Sequence, residues 1–114
     1  MSDDLKQRTK QFAIRIVKLV RALPNSIDGR TIGNQLIRCG TSVAANYRSA
    51  CRGRSKAEFV SKLGVVEEEA DESVFWLELI VDTKLMEEKR VDPLLKEANE
   101  LVAIFVASRK SARK

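Results

Sequence analysis

Histidine is absent from the 114 residues, which removes the side chain that most often shuttles protons or binds metals near neutral pH. Proline, at two residues, and glycine, at five, are scarce, and the apolar residues rarely alternate with period two. Both absences argue against a strand-and-turn architecture and for helices. Aromatic residues make up only 5% of the chain, and most of them fall on or beside apolar faces. A surface that grips single strands by stacking on their bases is therefore not favoured. Cys39 and Cys51 are the two cysteines. On one continuous helix they would lie about 18 Å apart, far beyond disulfide reach. They are expected to be small reduced thiols, as in a cytoplasmic protein. No apolar run is long enough to cross a bilayer. The opening "MSDDLKQRTK" is charged and lacks the apolar segment of a signal peptide. The expectation is a cytoplasmic protein with no membrane contact.

What remains is an ordinary mixture for one helical domain, with 44% hydrophobic and 32% charged residues. The charge is unevenly spread. Residues 1–56 hold twelve Lys/Arg against three acids, residues 57–107 five against thirteen, and the last seven residues are again basic. A basic half of this kind can attract nucleic acid. It can equally pair with the chain's own acidic half, within one chain or between subunits.

Periodicity predicts four helices. The first spans about Asp3 to Leu23, capped by Ser2 and helped by Asp3 and Asp4 at its positive end. Its stripe is Leu5, Phe12, Ile16, Leu19 and Leu23, and "LPNS" ends it. The second runs from about Asp28–Thr31 to Arg52 on the stripe Ile32, Leu36, Cys39, Val43, Asn46 and Ala50, with Gly53 as its glycine cap. "SKAE", Ser55 to Glu58, is a capping box that opens the third helix. There Phe59, Leu63, Val66, Ala70, Ser73, Leu77 and Ile80 repeat at spacings of four and three. Folded back about Arg54–Ser55, the two stripes match layer by layer, Val43 on Val66 and Cys39 on Ala70, as in a tight helical hairpin. "KRVDP" ends the third helix, and Asp92 with Pro93 begins the fourth, whose inner face is Leu94, Leu95, Ala98, Leu101, Val102 and Phe105. The fold class is all-α: an up-down antiparallel four-helix bundle over residues 1–107, with a fraying basic tail at 108–114.

The stretches "QLIRCGTSVAANYR", "SKAEF" and "EEADESVFWLEL", within Gln35–Ile80, resemble those of the bacterial 23S rRNA intervening-sequence proteins. The resemblance implies a ring-shaped homo-oligomer, typically a pentamer around a central channel, with no established enzyme activity and no cofactor. A related branch is the accessory protein of diversity-generating retroelements. Through it the resemblance implies RNA or DNA and a reverse transcriptase as partners.

The residues themselves offer little for catalysis. The acids of "EEEADE", Glu67 to Glu72, lack the Glu-x-x-His pattern of carboxylate metal sites, and neither cysteine has an evident activating base. The glycines of "GRTIGNQLIRCG" do not form a phosphate loop. Gly33, Gly40 and Gly64 instead mark close helix contacts. A polar seam is expected where Arg38 faces Asp71, with Glu67 and Glu72 within a turn. Ser42 and Asn46 lie on the inner stripe, where one amide penalises other registers. Three basic groups converge at one pole of an antiparallel bundle: Lys6, Arg8 and Lys10; Arg48, Arg52, Arg54 and Lys56; and Arg109, Lys110, Arg113 and Lys114. Such a pole can bind phosphate backbones without reading sequence. The competing expectation is a protein scaffold with no nucleic acid, in which Trp76 and Leu79 pack on the first or fourth helix or form a contact between subunits.

Overall fold

The structure, a computed structural model, describes residues 2–114, with side chains from residue 4 onward. The expected capping roles of Ser2 and Asp3 lie outside those side chains. Four helices follow one another: α1 (Ser2–Arg21), α2 (Ile27–Cys51), α3 (Lys56–Asp82) and α4 (Glu88–Arg113). Sequential neighbours pack antiparallel, giving an up-down bundle of 44 × 19 × 19 Å. The diagonal helices meet only through side chains in the core, and α1 approaches α4 over a short stretch.

Local chemistry sets most of the ends. Ser26 caps α2, its hydroxyl accepting from the Gly29 amide at 3.1 Å. Ser55 caps α3 in the same way, accepting from the Glu58 amide at 3.1 Å. Gly53 follows the end of α2, but it does not take a left-handed conformation. A Cβ there would lie 3.1 Å from the Ala50 carbonyl oxygen and 3.4 Å from the Phe59 nitrogen. Its role is close passage of the backbone at the turn.

The boundary between the third and fourth helices differs from the sequence expectation. α3 stops at Asp82, where Lys84 adopts φ of 58°. The Leu85 amide donates to the Ile80 carbonyl and the Lys84 amide to Val81, each at 3.0 Å. That pair of bonds is a Schellman closure, with lysine where glycine is usual. α4 then begins at Glu88, and Pro93 lies inside it. Burial explains the earlier start: Met86 and Val91 are both in the core, and helix from Glu88 onward directs Val91 inward. Pro93 removes one intrahelical donor close to an exposed helix start, where water can serve the orphaned carbonyl. Lys84→Gly is expected to raise stability by about 0.5–1 kcal/mol, because glycine enters this conformation without steric cost. Urea midpoints would show it; an unchanged or lower midpoint would refute the strain assigned to Lys84.

The core runs the length of the bundle. Phe12 and Ile16 share one buried cluster with Leu36, Cys39 and Val43 of α2, Leu63, Val66, Ala70, Leu77 and Ile80 of α3, and Leu101 and Phe105 of α4. Val43 and Val66 are both fully buried. Gly33 and Gly40 admit α1: a Cβ at Gly40 would stand 2.8 Å from Ile16 Cγ1, and one at Gly33 3.2 Å from Val20 Cγ1. Gly64 has only ordinary contact with Arg109, at 3.8 Å. The basic C-terminal residues expected to fray continue α4 as far as Arg113.

Candidate nucleic-acid interface

The antiparallel order brings the start of α1, the turn between α2 and α3, and the end of α4 to one pole. Lys6, Lys10 and Arg48 line a shallow groove between α1 and α2, floored by Thr41, Ala44 and Ala45. Across the pole, Lys56 Nζ donates to the Lys114 carbonyl at 2.9 Å, and Lys56 and Arg113 flank a second depression over Ala57, Val60 and Ser61. Arg52, Arg54 and Lys110 are exposed. The bundle thus gathers eight of the eleven expected cations as an exposed set, with Lys6 half-buried beside them.

Arg8 and Arg109 do not join them. Arg8 forms a forked pair with Glu97, its Nε and Nη2 each 2.8 Å from a carboxylate oxygen, and Nη2 also reaches Glu100 at 2.9 Å. Hydrogen bonding to Glu97 holds the guanidinium charged beyond its ordinary range, with Glu100 adding to the effect. Arg109 is held by Glu67, with Nε and Nη2 both 2.9 Å from Oε1. Both arginines fasten α4 to a neighbour. Sequence spacing gave them the right pole but did not show which acids α4 and α3 place within reach.

The polar seam is also arranged differently. Arg38 pairs with Glu72 and, at 3.4 Å, with Glu69, whereas Asp71 is exposed. Glu69 and Glu72 lie on the side of α3 that faces α2, and Asp71 lies off that side. Ser73 Oγ lies 3.3 Å from Cys39 Sγ and donates to the Glu69 carbonyl at 2.8 Å. Glu72 also accepts from Trp76 Nε1 at 3.2 Å. Asn46 and Ser42 are half-buried on the flank; the inner layer belongs to Tyr47, whose ring centroid is 5.7 Å from that of Phe105. A phenol with an apolar body satisfies this layer better than a small amide, and the four-residue step from Val43 allows it. Burial, with the Cys51 thiol adjoining, pushes the Tyr47 phenol well above its usual value. Burial likewise raises the Cys39 thiol, against an opposing hydrogen bond from Ser73. A thiol kept protonated is a poor nucleophile. Among the described residues there is no group of acids and cysteines able to hold a metal ion, and no helix long and apolar enough to cross a membrane. The sequence reading also missed Thr9, which is fully buried and bonds the Lys6 carbonyl at 3.0 Å.

A solved structure agrees closely with this architecture. It is the crystal structure of a protein of unknown function from the S23 ribosomal protein family of Bacteroides thetaiotaomicron VPI-5482. It is 32% identical, with a TM-score of 0.88, over 96% of this chain and 99% of that one. No curated protein matches the chain. The family model for 23S rRNA-intervening sequence proteins matches residues 2–107, which takes in all of α1, α2 and α3 and most of α4. The chain belongs to the 23S rRNA-intervening sequence protein family.

Proposed function

We propose that the chain acts in the cytoplasm without enzymatic chemistry, as a homo-oligomer, of pentameric type by family resemblance, that holds RNA or DNA on its basic pole. The observation that carries this reading is the convergence of Lys10, Arg48, Arg52, Arg54, Lys56, Lys110, Arg113 and Lys114, all exposed, on one end of the bundle. Fixed cations on a rigid end neutralise phosphates and release counterions without contacting base edges. A reverse transcriptase as a further partner rests on the resemblance alone.

The test is binding of labelled RNA and DNA across a salt series. Replacing Arg52, Arg54 and Lys56 with alanine is expected to reduce the slope of log affinity against log salt by about one unit for each phosphate no longer neutralised. Arg8→Ala is expected to leave that slope unchanged, because its charge is committed to Glu97. Failure of the wild-type chain to bind either nucleic acid at low ionic strength would eliminate the reading and leave the scaffold alternative.

A further inference from the structure

We propose that the outer face of α1 receives the outer face of α3 from a second copy of this chain. This assigns surfaces to the oligomer proposed above and rests on that reading. The two faces belong to diagonal helices and lie on the outside of the bundle. On α1, Ala13, Ile14 and Val17 form an apolar strip edged by Lys10, Lys18 and Arg21, and Ile14 is 36% exposed. On α3, Phe75 is 52% exposed and Val65 42%. The Phe75 ring stands edge-on to Trp76, their centroids 4.9 Å apart. A rigid aromatic pair half in water is the composition of an interface centre rather than of a solvated helix back.

Charge selects the partner. Between Leu5 and Arg21, α1 carries six basic residues and no acid; between Glu67 and Asp82, α3 carries seven acids and no base. The ion pairs within the bundle tie Arg8 and Glu67 to α4, and Glu69 and Glu72 to α2. Lys10, Lys18 and Arg21 therefore remain on one face, and Glu68, Glu78 and Asp82 on the other.

The two faces also match in height. Ile16 packs on Gly40 and Cys39 meets Ser73, so Ile16 and Ser73 share a layer, and α1 and α3 run in the same direction. Counting about 1.5 Å per residue from that layer, Val17 comes within one residue of the level of Phe75, Lys10 within one of Glu68, and Arg21 level with Glu78. Copies standing side by side, all pointing the same way, bring apolar onto apolar and cation onto acid at once.

Light scattering on the purified chain reads the outcome. The wild type is expected at a multiple of 12.8 kDa. Phe75→Glu is expected to bring the mass down to a single chain, with the helical circular dichroism retained. Ile14→Glu, on the other face, is expected to do the same, so the answer does not depend on how one variant folds. Arg21→Glu and Glu78→Arg should each weaken association about tenfold or more at low salt, and the two together in one chain should restore it. A monomeric wild type, its faces left for some other protein, overturns both this assignment and the oligomer reading. An oligomer that keeps its mass through all four substitutions overturns the assignment alone.

Discussion

Gly29→Ala is expected to destabilise the bundle by about 2–4 kcal/mol, a large loss for one added methyl group. Gly29 is buried in the first turn of α2. A Cβ there would lie 2.0 Å from the Pro24 carbonyl oxygen and 2.9 Å from Ser26 Oγ. The first of these atoms is backbone and cannot rotate away, so the turn from Leu23 to Ser26 must open. Opening it releases the Ser26 cap, worth about 1 kcal/mol, and unseats Leu23, which packs against the core. Alanine's better helix propensity returns only about 1 kcal/mol. At 4–8 °C per kcal/mol for a domain of about this size, thermal unfolding should shift down by roughly 10 °C or more. Gly64→Ala is the internal comparison. Its Cβ would meet nothing nearer than Arg109 Cδ at 3.8 Å, so only the propensity gain should remain. Equal melting temperatures for the two variants would show that the steric reading of the first turn is mistaken.

Phe105→Ala is expected to cost about 3–5 kcal/mol. Phe105 is wholly buried and lies against Tyr47, the two rings tilted by 41°. Truncation leaves a void that Tyr47 cannot fill without dragging its hydroxyl from its place beside Cys51. Phe105→Leu keeps most of the volume and should cost under about 1.5 kcal/mol. Urea unfolding separates these outcomes if the slope with denaturant is unchanged, since the whole difference then lies in the midpoint. A loss below about 1 kcal/mol for the alanine variant would mean that the layer joining α2 to α4 collapses freely, against the close packing assigned to it.

Long-range order in the bundle was legible because it depends on repeating burial. The stripes of the second and third helices are read from spacing alone, and Val43 and Val66 are indeed fully buried. Individual positions were less legible wherever two side chains competed for one layer. Asn46 and Tyr47 are neighbours, and a strict heptad selects Asn46; a helix of 3.6 residues per turn drifts toward Tyr47. Phe59 was expected inside but is only half-buried. The start of α4 was misread because Asp92–Pro93 has the chemistry of a helix beginning, while the requirement to bury Met86 and Val91 is tertiary. Among the cations, distance along the chain cannot show that Glu97 lies beside Arg8, eighty-nine residues away. Polar pairs across helices depend on which acids at the edge of a stripe face the neighbour, as Glu69 and Glu72 face Arg38 and Asp71 does not, and apolar periodicity alone does not assign that.

The bundle is not equally tight around its circumference. Gly33 and Gly40 draw α1 against α2. Toward α4, α1 relies instead on Arg8 with its two glutamates and on Leu19 beside Met86 and Leu94, next to a cleft of about 280 Å³. Charged contacts that are partly wet weaken with ionic strength, and apolar contacts through glycine do not. Breathing motions of the native state therefore begin where the first and last helices meet, like a book parting at its fore-edge while the spine holds. Salt widens that parting, and the amides of α2 and α3 exchange with solvent last.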